Sequence, residues 1–544
     1  MTLKKSRTLI VICLLLLSAV STSWTISEGT LDNHECFVSV TAREMLASGD
    51  WICPTFNGEP RLQKTPLSYW LVASLARITG RVDEFTARMP SVIFAVLSAA
   101  AILYFVNLWL SFRIAVISGA VWMTSVCYIR YSHSARPEMA LTFFVLLCFL
   151  TFYSAITAKS RGKQIIYTLV FWMSFALGNL AKGPAPLPLV LIPLFFYVAI
   201  FRQWRKVFNW VSLAGLVIFL AIVLPWPLAI AHKLNWDVVL WKREFIDRFF
   251  GEYARGDYPV YYYFLIIFKY IAPWVVFLPM AIPAPFFRVW ANKRPVMLFL
   301  WILFVADFAF LTLSGGKRQH YILPLMPAMA ILIGILIEDM AFVKKAYSRT
   351  FARNVLVGHA AVVAILTVAG CVYLIRTYPD MVAEALILGT AAIIFTSAAT
   401  VLFSAKKPAV ACGVLFTGIV VLVMILYTAF LNPLDLHRCS RDFSRRLAQI
   451  VPQSDNLIAY EYVSNKSIHY FGRVVPQVTD KSVLYERYEQ GDWIVATADH
   501  LEKLQADDGR LRKVYYKQKA VRAWRQQAPG ALFHKSAPFV AEEP

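Results

Sequence analysis

The chain has 544 residues, of which 58% are hydrophobic and only 16% charged. One soluble core cannot hide that much apolar surface, so a soluble globular enzyme is excluded and a membrane is the natural solvent. The net charge of +21 invites a nucleic-acid reading, but the lysines and arginines sit in short clusters between long apolar runs, a pattern that encodes membrane topology and leaves no nucleic acid among the expected partners.

At the N-terminus, Lys4, Lys5 and Arg7 precede an apolar run from Thr8 to Val20, and Ala19, Ser21 and Ser23 are placed as a cleavage site would be. We read this run as an uncleaved first span, because the polar stretch after it carries much of the chemistry-bearing sequence. A spanning helix needs about 20 apolar residues, and about thirteen segments qualify. They lie near 8–26, 88–108, 114–131, 138–157, 166–181, 185–201, 210–231, 262–286, 295–313, 322–340, 355–375, 383–403 and 409–431.

Alternate loops hold the basic clusters: Lys4, Lys5 and Arg7; Arg113; Lys159, Arg161 and Lys163; Arg202, Arg205 and Lys206; Arg288, Lys293 and Arg294; Lys344, Lys345, Arg349 and Arg353; Lys406 and Lys407. The positive-inside rule places them in the cytoplasm. The other face then receives 27–87, 131–137, 182–184, 232–261, 314–321, 376–382 and the tail from 432, which hold the mixed-charge polar sequence. The tail alternates short apolar strands, such as Asn456 to Tyr462 and Trp493 to Ala496, with the amphipathic segment Arg441 to Ile450, as a small α/β domain does.

In the first exported loop, Val38, Ala42, Met45 and Leu46 recur at helical spacing and Gly49 follows the last turn. This is an amphipathic helix lying on the membrane surface, with Asp32 and Glu35 at its start, where the helix dipole favours a carboxylate. Simple N-capping also accounts for both acids. Eight cysteines without CxxC spacing do not suggest zinc; Cys36 and Cys53 share a loop in which a disulfide is chemically permitted, and two separate small side chains are the simpler reading. The segment His232 to Tyr263 is crowded with aromatics, fitting either a loop that closes over a sugar and its isoprenoid tail or an interfacial girdle.

The stretch from Asp32 through AREM, GDW, the NG-x-P segment and QKTPLSYWL resembles the signature region of the ArnT-like and protein O-mannosyltransferase superfamily, the GT-C glycosyltransferases that use polyprenyl-phosphate sugars. The resemblance extends to Arg136-Pro137-Glu138-Met139, Leu180-Ala181-Lys182-Gly183-Pro184, Arg248-Phe249 and Lys317-Arg318-Gln319-His320-Tyr321, so it runs through the membrane region. It implies an α-helical polytopic membrane protein of GT-C type, with about 13 transmembrane helices over 1–431 and a small C-terminal extracytoplasmic α/β domain over 432–544. Three positions depart from the family pattern: Gln63 stands where relatives often carry glutamate, Glu138 where they often carry aspartate, and His34 where the aspartate of the acidic pair would fall, with Asp32 two residues upstream.

The implied reaction moves a sugar from a polyprenyl (undecaprenyl) phosphate to an extracytoplasmic acceptor such as lipid A, another glycan or a protein hydroxyl, with inversion, in a bacterial inner membrane. A departing phosphate gains charge, so cations must meet it. Lys64, Lys182, Arg248, Lys317, Arg318, His320 and Tyr321 are the candidates for the donor phosphate. Asp32, Glu35 and Glu138 are the candidate catalytic carboxylates, and Arg43, Arg136 and Gln63 the candidates for positioning substrate. No cofactor is required; a divalent metal is the alternative, against which Gln63 removes a carboxylate that would hold it. The competing classes are a transporter or flippase for a lipid-linked sugar, which would show internal repeats with broken helices, and an inactive scaffold.

Overall fold

A computed structural model describes residues 2–234, 247, 258–437, 441–497, 513–516 and 530–533. Among them, ten helices are long and apolar enough to cross a membrane. Two further helix pairs pass the same test together but are bent at a short break: Phe112–Met123 with Val126–Ser132, by 61°, and Tyr262–Ile271 with Trp274–Phe286, by 119°. These helices and the shorter apolar helix Pro186–Ile200 fall in the expected segments, giving ten to twelve spans among the described residues where about thirteen were expected, and the chain is a multi-pass membrane protein. Three segments are therefore not the plain spans that apolar run length suggested. Polar Thr124 and Ser125 interrupt the first; Pro273, which lacks an amide proton, interrupts the second.

The two breaks are tied to each other. The amide of Val126 donates to the Ala272 carbonyl at 2.9 Å, the Trp274 indole donates to Thr124 Oγ1 at 3.0 Å, and the hydroxyls of Tyr131 and Tyr270 lie 2.6 Å apart. Backbone freed by a break must find partners inside the protein, because lipid offers none.

The chain divides into two compact units. The first, Met1–Ile26, Leu62–Ser68 and Arg88–Phe430, contains the spans. Glu138–Thr157 and Arg161–Lys182 pack side by side and antiparallel because only three residues join them. Met326–Glu338 is buried along its whole length and crosses Phe112–Met123 where Gly334 faces Ser118.

The second unit comprises Ser27–Arg61, Tyr69–Ala87 and Leu431–Pro544. Its first-loop helix, Asn33–Ser48, starts in a capping box: Asp32 Oδ1 accepts from the amides of His34 at 2.7 Å and Glu35 at 2.8 Å, and Glu35 Oε2 accepts from the Asp32 amide at 2.8 Å. Gly49 ends it in the left-handed region, φ 72°. Next comes a hairpin, β1 (Thr55–Phe56) against β2 (Glu59–Pro60), turned by Asn57-Gly58, both with positive φ as a type I′ turn demands. The tail builds a mixed sheet from β3 (Leu457–Tyr460), β4 (Gln477–Val478), β5 (Trp493–Thr497), β6 (Lys513–Tyr516) and β7 (Gly530–Phe533), ordered β4-β3-β5-β7-β6. β3 pairs in parallel with β4 and β5, and β7 pairs antiparallel with β5 and β6.

Loop and tail share one core. Val40 of the first-loop helix is buried among Leu447, Leu457, Ile468 and Trp493. The tail helix Asn465–Phe471 binds that helix along its length: Asn465 donates to the Asn33 carbonyl at 3.0 Å, His469 Nδ1 lies 3.0 Å from the Ser39 hydroxyl, and Arg43 donates to the carbonyls of His469 at 2.8 Å and Ile468 at 3.2 Å. Tyr470 accepts from the Leu31 amide at 3.0 Å and donates to Glu84 at 2.9 Å.

Burial, followed by the nearby charges of Arg43 and Arg445, pulls the His469 imidazole down to about 3. In the unfolded chain it takes up a proton near pH 6.5. Between these values the unfolded state holds more protons, so stability falls as pH falls, by at most about 1.4 kcal/mol per pH unit for one such group. Thermal melts of the detergent-solubilised protein are expected to show a larger drop in Tm from pH 7 to pH 5 for wild type than for His469→Gln; equal drops would assign the pH dependence to other groups.

Candidate functional site

Three span ends and one connecting segment of the first unit supply the site. Glu138 opens the helix Glu138–Thr157 and Lys182 closes Arg161–Lys182. Because the two helices form an antiparallel hairpin, the start of one and the end of the other lie together. Each charge also has the sign its helix terminus favours, acid at the N-terminus and base at the C-terminus. Lys182 Nζ lies 3.1 Å from Glu138 Oε1, and both side chains are about nine-tenths buried, at 10% and 7% exposure. Gly183 takes φ 65° and ψ −151°, a conformation suited to glycine, and stops the helix immediately after Lys182.

The third contribution comes from the turn before the last broad core span. His320 Nε2 stands 3.5 Å from the same Glu138 oxygen. Its ring meets that of Tyr321 edge-on at 4.8 Å, and the Lys182 ammonium sits 5.6 Å from the Tyr321 centroid. Lys317 is buried, and its ammonium donates to the Ser314 carbonyl at 2.8 Å. Tyr263 fastens this turn by donating its hydroxyl to the Arg318 carbonyl and accepting from the Arg318 amide, each at 3.2 Å. Arg136 and Arg318 both lie within electrostatic range of Lys182 and His320. Ser91 holds the backbone before Glu138 by donating to the carbonyls of Ser134 at 2.6 Å and Arg136 at 3.3 Å.

The fourth element is the segment Gln63-Lys64-Thr65. The Thr65 hydroxyl accepts from the Gly183 amide at 2.8 Å, anchoring the segment to the turn after Lys182. Lys64 is half-buried, and Gln63 Oε1 is buried without a hydrogen-bond partner. Glu138 Oε2 is likewise buried and unpartnered. Lys182, Arg136 and Arg318 outnumber Glu138, so the cluster carries excess positive charge together with buried acceptors that lack donors. It suits an anion that also carries hydroxyl or amine groups.

Of the residues singled out in the sequence, Glu138, Lys182, His320, Tyr321, Arg136 and Arg318 come together here, with Lys317 in the same turn and Gln63 and Lys64 on the segment tied to Gly183. Asp32, Glu35 and Arg43 belong to the second unit. There, Asp32 is half-buried and Glu35 buried in the capping box, and Arg43 holds the carbonyls at the end of the tail helix. Arg248 and most of the aromatic segment lie outside the described residues. Thr65 and Ser91 are not among the residues the sequence singles out, a threonine before proline and a serine within a span giving no local signal, and Tyr263, read there only as part of the aromatic segment, instead fastens the turn at Arg318. No group of three or more His, Cys, Asp or Glu arranged to hold a metal ion occurs among the described residues.

Residues 63–228 match the family described as dolichyl-phosphate-mannose-protein mannosyltransferase. An undecaprenyl phosphate-alpha-4-amino-4-deoxy-L-arabinose arabinosyl transferase of Pseudomonas aeruginosa is 29% identical over 316 residues, covering 56% of each chain. The protein of the same name from Edwardsiella ictaluri is 31% identical over 332 residues, covering 60% of this chain and 59% of its own. The matched region thus spans less than two-thirds of these curated relatives. The fold corresponds to the crystal structure of ArnT from Cupriavidus metallidurans bound to undecaprenyl phosphate, with a TM-score of 0.81 at 18% identity over 98% of this chain and 99% of that one. The archaeal oligosaccharyltransferase AglB from Archaeoglobus fulgidus follows at 0.54 and 12% identity, covering 92% of this chain and 70% of its own. Span order, the charged cluster at the span ends, the match over residues 63–228 and the fold agree with one another, and over that region the chain is similar to the dolichyl-phosphate-mannose-protein mannosyltransferase family.

Proposed function

We propose that this protein is an integral membrane glycosyltransferase that moves a sugar from a polyprenyl (undecaprenyl) phosphate carrier to an extracytoplasmic acceptor such as lipid A, another glycan or a protein hydroxyl, in a bacterial inner membrane. The observation that carries the reading is the buried, net-positive cluster around the Lys182 to Glu138 pair. A fixed cationic site in a water-poor setting stabilises charge that develops on a leaving phosphate, and needs little reorganisation to do so.

In the transfer, the anomeric carbon-oxygen bond to the carrier phosphate breaks as the acceptor oxygen bonds from the opposite face, and the electron pair stays on the phosphate. Lys182 and Lys317 meet that charge, with Arg318, Lys64 and Arg248 as further cations and His320 and Tyr321 as donors. Glu138 aims the Lys182 ammonium through Oε1 and offers Oε2 to a substrate hydroxyl or amine. Arg136 and Gln63 act by positioning. For a hydroxyl acceptor the proton passes to a carboxylate, for which Asp32 and Glu35 are the candidates. A phosphate acceptor arrives already anionic and needs no base. In this reading the step runs without a resident metal, because Glu138 Oε1 is engaged by Lys182 and His320 and Gln63 offers an amide in place of a carboxylate; a divalent metal is the alternative.

Proteoliposomes supplied with a panel of radiolabelled polyprenyl-phosphate sugars and membrane extract test this. Label is expected to reach lipid, glycan or protein with wild type, to be unaffected by a chelator, and to fall by about 10²–10³-fold in Lys317→Ala. Folded protein that transfers from no donor would overturn the reading.

A further inference from the structure

The two bent helix pairs run on together from their joined breaks as the short helices Val126–Ser132 and Tyr262–Ile271, clasped again by the Tyr131 and Tyr270 hydroxyls. The residue before each tyrosine is a cation, Arg130 on one helix and Lys269 on the other. Both are exposed, and they lie within electrostatic range of each other. Among the described residues neither forms an ion pair with a carboxylate; the Arg130 guanidinium stands 5.8 Å from the Tyr131 centroid. The clasp and the backbone bond at the breaks prevent the helices from drifting apart to relieve the repulsion.

Two cations within electrostatic range of each other, with no carboxylate partner among the described residues, on helices of the unit that contains the spans are unfavourable unless an anion joins them. Single basic side chains near span ends can reach outward separately; a fixed doublet can instead bridge one ligand. The anion that a bilayer supplies at such a place is a lipid phosphate, and an arginine fork beside a lysine point charge is a suitable donor set for it. Discontinuous spans are also where membrane proteins place polar ligands. The Tyr131 hydroxyl lies within electrostatic range of Glu138 and Arg136 as well, so the doublet stands beside the site described above without sharing its residues.

We propose that Arg130 and Lys269 form a binding site for the phosphate headgroup of a membrane lipid. The phosphate comes either from an anionic phospholipid of the bilayer or from a polyprenyl monophosphate, and the site does not depend on the transfer reaction.

Native mass spectrometry of the full chain in detergent, titrated separately with phosphatidylglycerol, polyprenyl monophosphate and phosphate-free diacylglycerol, tests this. Wild type and the charge-preserving Arg130→Lys/Lys269→Arg variant are expected to retain a phosphate lipid. Arg130→Gln/Lys269→Gln should bind it about tenfold or more weakly, the scale of one lost charge-assisted hydrogen bond, with diacylglycerol binding unchanged throughout. A loss confined to phosphatidylglycerol identifies the bilayer lipid as the source, and a loss confined to polyprenyl monophosphate identifies the carrier. Unchanged affinity for both in the double glutamine variant overturns the proposal, as does an equal loss in the charge-preserving variant. Should the double glutamine variant fail to elute as folded protein, Lys269→Gln alone carries the same expectation.

Discussion

Lys182→Met is expected to lower transfer by about 10²–10³-fold, the scale of one preorganised donor to developing charge, and also to destabilise the protein by about 3–5 kcal/mol, because it leaves the Glu138 carboxylate buried without its closest cation. The second loss is separable from the first. In Lys182→Met/Glu138→Gln the buried charge is gone, so the melting temperature should recover most of its drop, while transfer stays as low as in the single variant. If Lys182 served only to neutralise Glu138, activity would recover together with stability. Melting curves and initial rates on the four members of the cycle decide between the two.

The second large effect concerns packing. A Cβ on Gly334 would stand 2.2 Å from Ser118 Oγ, 2.8 Å from Ser118 Cα and 2.9 Å from Ser118 N. A side-chain oxygen can rotate aside, but backbone atoms move only with the whole helix Phe112–Met123. Gly334→Ala should therefore fall at the upper end of the roughly 1–3 kcal/mol expected for overpacking, seen as a lower melting temperature and a smaller folded fraction in detergent. Adding Ser118→Gly removes the hydroxyl but leaves the backbone contacts, so only partial rescue is expected. Full rescue would show that the hydroxyl alone was the obstacle.

Much of this architecture was legible in the sequence, for reasons that also mark where legibility stops. Run length and basic loops located the spans, because lipid admits only long apolar helices. The same criterion could not show that two of them break, since Thr124-Ser125 and Ala272-Pro273 scarcely lower the hydropathy around them. The meeting of Glu138 with Lys182 follows from helix direction and a short connection. The acceptor role of Thr65 and the two bonds of Tyr263 to Arg318 depend on tertiary placement, which leaves no local trace. Arg43 was singled out through a motif; its observed partners are two backbone carbonyls some 425 residues away, a contact that no spacing rule reaches. The Asn57-Gly58 turn shows the converse case, in which two residues suffice to specify a hairpin.

The clasp between the first-loop helix and the tail helix also sets a timetable for synthesis. Asn33 and its partner Asn465 are 432 residues apart, so at about 5–20 residues per second the loop waits roughly 20–90 s after its own translation before the ribosome makes its partner. Throughout that interval Val40, Ser39 and Arg43 lack the surface against which they finally pack. The helix carrying Asp32 and Glu35 is thus completed last, and a chain released before residue 465 carries every span yet presents an unfinished first loop to proteases and chaperones.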